Sequence, residues 1–152
     1  MKKLAFILLL LMPIISQAQN SMQPYLTLED ATRISAAAEA KSKAENWNMV
    51  IVVLDAGGHI ISLRKMDGVQ IGSIDVAIGK AKTAVYFKRS TKVFEDAMKT
   101  EGGGRIATLP NAVAIEGGLP IFKDGIIIGS IGISGATSAQ DGIVAAVGLE
   151  AY

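Results

Sequence analysis

Met49-Val50-Ile51-Val52-Val53-Leu54-Asp55 runs straight into Ala56-Gly57-Gly58-His59 and then Ile60-Ile61-Ser62-Leu63-Arg64. The first seven residues are largely β-branched and almost wholly apolar, as suits a central strand covered on both faces rather than a strand with one wet side. The glycine pair then turns the chain, and Ile60–Arg64 reads as the returning strand of an antiparallel hairpin. A sheet with packed layers on both sides follows from this one stretch.

Upstream, Thr27 can cap a helix, with Asp30 three residues later completing a capping box. The helix is expected to reach about Glu45 and to turn Leu28, Ala31, Ser35 and Ala38 inward. Downstream, Met66-Asp67-Gly68 breaks the hairpin, and a second helix spans Ser73 to Lys88. Ile74, Ala77, Ile78, Ala81 and Val85 make one stripe on it, and Val76, Lys80, Thr83 and Phe87 a second strip roughly opposite. A helix apolar on two sides usually touches two things. The second strip is either ordinary half-exposed surface, or the wall of a ligand pocket or subunit contact.

Ser90 or Thr91 caps a short third helix through about Thr100, which stops at Gly102-Gly103-Gly104. After a loop through Pro110, Ala112–Glu116 is expected to be a strand. Gly117-Gly118 turns it toward Leu119–Lys123, and Asp124-Gly125 is a hairpin turn into Ile126–Ser134. Ser138, with Asp141 three residues on, is expected to cap a terminal helix built around Ile143, Ala146 and Val147. This order predicts a single α+β domain over residues 26–152, an antiparallel sheet flanked by helices. A doubly wound parallel sheet would need regular alternation instead.

The N-terminus reads as a basic Met1-Lys2-Lys3, an apolar run from Leu4 to Ile15, and a small-x-small site at Ser16-Gln17-Ala18. Those are the three parts of a secretory signal, so residues 1–18 are expected to be a signal peptide and 19–25 a lead-in segment. The run is shorter than the roughly 20 apolar residues of a membrane span. With no cysteine, a lipoprotein anchor is excluded and the core must hold the exported chain together, aided by homo-oligomerisation. Removing Lys2 and Lys3 turns the formal charge of +1 slightly negative. Nothing in that balance drives binding to nucleic acid or anionic membrane.

His59 is the only histidine. A zinc site or three-histidine metal centre therefore cannot be built from one chain. A serine triad would need His59, which sits beside two glycines at a hairpin tip. Gly102-Gly103-Gly104-Arg105-Ile106-Ala107 matches a dinucleotide fingerprint in letters, yet it follows a helix and runs into Leu109-Pro110. No phosphate-loop lysine motif exists. Lys80, Lys82, Lys88, Arg89 and Lys92 gather positive charge around the second helix, either as a solvated face or as a rim for ligand anions. Asp67 and Glu116 are the acidic residues placed where sites collect, in a loop and at a strand end.

Leu26-Thr27-Leu28-Glu29-Asp30-Ala31, Val53–His59, Met66-Asp67-Gly68 and Ser73–Ala81 resemble, in this order, segments of the GlcG/HbpS haem-binding family. So do Gly117-Gly118-Leu119-Pro120-Ile121 and Gly129–Gly135. The resemblance covers nearly all of residues 26–152 and extends to the C-terminal part of the corrinoid enzyme PduO. It implies a five-stranded antiparallel sheet flanked by helices, often in a higher oligomer, with haem as the cofactor.

Haem needs an apolar slot, cations for its propionates and an axial ligand such as His, Met, Tyr or Cys. The candidates for contact are Arg64, Met66, Lys80, Tyr86 and Phe87, with Met66 and Tyr86 as axial ligands and Arg64 or Lys80 near a propionate. Met49 and Met98 read as packing residues, and Tyr25 and Tyr152 lie near the ends. The leading reading is an exported haem or tetrapyrrole carrier, buffer or sensor component. A small-molecule or haem-degrading enzyme and a purely structural assembly module stay open beside it. No acid–base or nucleophile constellation stands out to favour turnover.

Overall fold

The computed structural model describes residues 23–152; the expected signal peptide and residues 19–22 lie outside them. Four helices and four strands follow in the order α1 (Leu28–Ala44), β1 (Val50–Asp55), β2 (Ile60–Lys65), α2 (Ser73–Phe87), α3 (Thr91–Met98), β3 (Gly118–Lys123), β4 (Ile126–Ser134) and α4 (Ser138–Glu150). The strands form one antiparallel sheet in the order β2-β1-β4-β3.

β1 is covered on both faces, as its composition requires. Val50, Val52 and Leu54 pack with Ala77 and Ala81 of α2, while Ile51 and Val53 pack with Ile34 and Ala38 of α1 and Val144 and Ala145 of α4. All five of these β1 residues are fully buried. α2 therefore roofs one face of the sheet, and α1 with α4 floors the other. β3 is an edge strand, and its Pro120 pairs with Ser130.

The roof sits close because glycine lets it. A side chain at Gly132 would strike the Ala77 carbonyl and Ala81, and one at Gly118 would strike the Lys80 carbonyl. Ser130 Oγ donates to the Ala81 carbonyl at 2.8 Å along the same seam.

The sheet among the described residues has four strands, not the five expected. Ala112–Glu116 forms no strand, and two of its backbone donors are spent on helix side chains. Val113 N–H donates to Thr83 Oγ1 at 2.8 Å, and Glu116 N–H to Glu95 Oε2 at 2.6 Å. Without those donors it cannot extend the β3 edge. The glycine-rich stretch after α3 winds into a 3-10 helix over Gly103–Thr108.

Two helix faces differ from the periodicity reading. In α1, Leu28 is exposed and Ile34 takes the inward place beside Ala31, Ser35 and Ala38. In α4, the cap is Thr137 with Gln140, not Ser138 with Asp141. That shift of one residue turns Val144, Ala145 and Gly148 inward and leaves Ile143 and Ala146 exposed. It also sends Asp141 into the core.

There Asp141 meets Lys80. Lys80 Nζ donates to Asp141 Oδ2 at 2.7 Å and to the Ile133 carbonyl at 3.0 Å, with both side chains almost wholly buried. Burial raises the Asp141 carboxyl above its ordinary range, opposed by Lys80 and by the backbone N–H groups of Ala136 and Gly135. Lys80 is thus not a surface cation. It joins the roof helix, the last residues of β4 and the start of a floor helix.

Removing one member strands a buried charge, which costs about 3–5 kcal/mol, whereas replacing both by apolar residues is often neutral or better. Lys80→Met is expected to lower the urea midpoint sharply, and Lys80→Met with Asp141→Leu to recover most of the loss. A double variant no more stable than the single one would contradict this account.

At the start of α1, Thr27 Oγ1 donates to Asp30 Oδ2 at 2.7 Å while accepting from Asp30 N–H at 3.0 Å. The Thr27 hydroxyl is the main cause holding the Asp30 carboxyl below its usual range, against a smaller effect of burial. A lowered folded value stabilises above the unfolded one, and the gain is lost as pH falls through the folded value. Thr27→Ala is expected to cost about 1 kcal/mol near neutrality. The gap from wild type should narrow in acid, as chemical denaturation across a pH series would show.

Candidate functional site

With Lys80 turned into the core, the face of α2 roughly opposite carries Asp75, Ile78, Gly79, Lys82 and Tyr86, at about 100° per residue. These five residues and Asn111, Ala112 and Val113 line a cleft of about 440 Å³. That lies within the usual range for small-molecule sites, roughly 300–1,000 Å³.

The far wall is the segment that failed to become a strand. Thr83 Oγ1 holds it by accepting from Val113 N–H, and itself donates to the Gly79 carbonyl at 2.8 Å. A side chain at position 79 would collide with Val113, so the loop reaches the helix only because Gly79 is bare.

Tyr86 stands at the mouth, 54% exposed. Its phenol lies over Gly58 in the β1–β2 turn, where φ is +82° and where a Cβ would occupy the space of the ring. The glycine pair therefore turns the hairpin and also seats the tyrosine. Lys82 precedes Tyr86 by one turn, and Asp75 precedes Lys82 by two. The positive end of the cleft is thus the tyrosine end, and an anionic ligand group belongs there.

The residues singled out from sequence do not converge. Tyr86 lines this cleft. Phe87 packs edge-on against Phe94 of α3, with ring centres 5.3 Å apart, and Arg89 covers the same Phe94 ring. Arg64 is on the floor side of the sheet, paired with Glu39 at 2.6 Å. Lys43, with Arg64, holds that Glu39 carboxyl below its usual range.

Met66 is also on the floor side, packed against the core there, and its Sδ accepts the Met49 N–H at 3.4 Å. With Glu39, Lys43, Asn48, Lys65 and Asp67 it lines a separate cleft of about 320 Å³. Met66 and Tyr86 of one chain therefore do not face one ligand.

Glu116 is tied to α3 through Glu95 and lies 3.7 Å from Lys92, away from Asp67. His59 is a solvated turn residue whose Nδ1 is 3.2 Å from Asp55 Oδ2. Sequence reading missed the wall Asn111–Val113 and the role of Asp75. Ile78, Lys82 and Tyr86 form an i, i+4, i+8 row whose members the sequence reading placed separately, in the core stripe, the basic cluster and the ligand candidates; Ile78 does pack against that core while also lining the cleft. Among the described residues no three His, Cys, Asp or Glu side chains gather as a metal site.

Comparison with known proteins covers the same span as the fold. The family model described as "Haem degrading protein HbpS-like" matches residues 26–150. Protein GlcG of Escherichia coli K12 is 38% identical over 109 residues, 72% of this chain and 81% of that protein. The crystal structure of Klebsiella pneumoniae protein ORFY superposes with a TM-score of 0.78 at 29% identity, covering 90% of this chain and 97% of that one. A PduOC:heme complex gives a TM-score of 0.78 at 28% identity, covering 85% of this chain and 96% of that one. The sheet, its helical layers and the extent of these matches agree, and the chain belongs to the HbpS-like family.

Proposed function

We propose that this chain is an exported haem-binding protein, a carrier, buffer or sensor component working as a homo-oligomer in the periplasm or outside the cell. The observation that carries the reading is the α2 cleft, where a tyrosine oxygen and a lysine on one helix face meet an apolar wall formed by Ile78 and the Ala112–Val113 segment. The family membership and the PduOC:heme complex support it from outside the chain. The export part rests on Met1–Ala18.

The donor set fits the group. Haem asks for an apolar slot, a cation for its propionates and an axial ligand, and tyrosine serves as such a ligand in known haem proteins. Ile78, Ala112 and Val113 supply the slot, Lys82 the cation and Tyr86 the oxygen. Asp75 at the other end repels carboxylates and so orients an asymmetric, doubly acidic ligand with its propionates toward Lys82. When bound, haem supplies the iron centre and its colour; the chain supplies orientation and partial exclusion of water. The bare Gly58 leaves room for the phenol to lie against the β1–β2 turn.

Hemin added to the protein lacking residues 1–18 is expected to give a shifted, saturable Soret band. Tyr86→Phe should move that band or abolish it, and Lys82→Glu should weaken binding by about tenfold, the equivalent of 1.4 kcal/mol. Met66→Leu should leave it unchanged, because Met66 belongs to the other side of the sheet. Absence of a saturable band in the wild type, or loss of it in Met66→Leu alone, overturns this site.

A further inference from the structure

A third cleft differs in kind from the two already described. Asn46, Trp47, Asn48, Gly68, Val69, Gln70, Gly135 and Ala136 enclose about 310 Å³ where the α1–β1 connection meets the loops before α2 and after β4. None of these side chains carries a charge. The Met66 cleft next to it holds two lysines and two carboxylates, and the α2 cleft holds a lysine and an aspartate.

What it has instead is three carboxamides and an indole. Asn46, Asn48 and Gln70 are exposed, so their amides are open to a ligand. Each amide offers both a donor and an acceptor from one planar group. Trp47 is half-buried, backed by the floor core, and its backbone N–H is fixed to the Ser42 carbonyl at 2.9 Å. It is therefore a braced wall rather than a swinging one.

Backbone geometry sets the amides in place. Asn46 takes the left-handed conformation with φ 57°, ending α1 and throwing Trp47 and Asn48 toward the loops. Gly68, with φ +75°, lies close enough to the Asn48 amide that a Cβ there would come within 3.1 Å of Nδ2.

An anion would find no cation in this cleft, and a cation no carboxylate. A purely apolar ligand would leave amides unpaired when it covered them, which is costly. The ligand that satisfies the lining is neutral, rich in adjacent donors and acceptors, and bears a C–H face for the indole. We propose that this cleft binds a neutral sugar, as a free monosaccharide or the end residue of a glycan. Adjacent hydroxyls can pair with the carboxamides while the ring face lies on Trp47. The site is separate from the α2 cleft and does not depend on haem.

Trp47 is the only tryptophan, so in the haem-free protein the tryptophan emission comes from a residue that lines this cleft. Titration with glucose, galactose and N-acetylglucosamine is expected to give a saturable change with at least one of them, at roughly millimolar concentrations given so few contacts. Asn48→Ala with Gln70→Ala, both at exposed positions, should weaken it by tenfold or more while leaving the melting temperature and the hemin titration unchanged. The uronic acid of whichever sugar responds, which adds a charge, should bind more weakly than that sugar. The proposal fails if no sugar gives a saturable change, if the double variant responds as the wild type does, or if the uronic acid binds as well as the neutral sugar that responds. A failed hemin titration beside a positive sugar titration would overturn the haem reading alone, and the reverse would overturn only this one.

Discussion

The ion pair between Lys80 and Asp141 is the interaction on which the rest of the arrangement turns. Its members come from helices on opposite faces of the sheet, and the lysine also binds the Ile133 carbonyl near the end of β4. A lysine held on that side fixes the rotation of α2 about its own axis. Lys82 and Tyr86 then face the cleft because they lie roughly half a turn from Lys80 on a helix of 3.6 residues per turn, while Ile78 lines the cleft and also packs against the core between α2 and β1. One buried contact thus decides which residues can meet a ligand. The bare positions at Gly118 and Gly132 complete the constraint, since they let the helix come near enough for the lysine to reach.

How much of this was legible in the sequence depended on how local the cause was. The β1–β2 hairpin, the Thr27–Asp30 cap and the limits of α1 and α2 follow from neighbouring residues, and the structure reproduces them. Ala112–Glu116 looked like a strand by composition, but its Val113 and Glu116 donors go to Thr83 and Glu95, which lie 30 and 21 residues away along the chain. The inward face of α4 was misjudged by a one-residue choice between two adequate caps, Thr137 and Ser138. No local pattern separates them; Asp141 decides, and its partner is 61 residues distant.

The candidate site shows the same divide. Lysine is rarely buried, so Lys80 was read with its basic neighbours as a solvated face or a rim for ligand anions. Tyr86 was found because a haem site asks for its side chain, yet the parts that make it useful, Gly58 beneath it and Val113 across from it, belong to other elements. Arg64 and Met66 were nominated alongside Tyr86 but lie on the floor side of the sheet, with Tyr86 on the roof helix. Chemistry could nominate these residues, but only topology could group them.

Pro120 carries a different lesson, about what happens when many copies of the chain meet. The two outer strands of an open sheet present unpaired backbone groups to any extended segment that drifts by, and such edges are where chains knit into aggregates. On β3 the proline interrupts the row of donors that a newcomer would need. β2 has no proline, but its pairing is broken by a bulge near its start, where Val53 pairs with Ser62 and Leu54 with Ile60. The two edges are therefore blunted by different devices, and the bulged one begins at the turn that also holds the tyrosine.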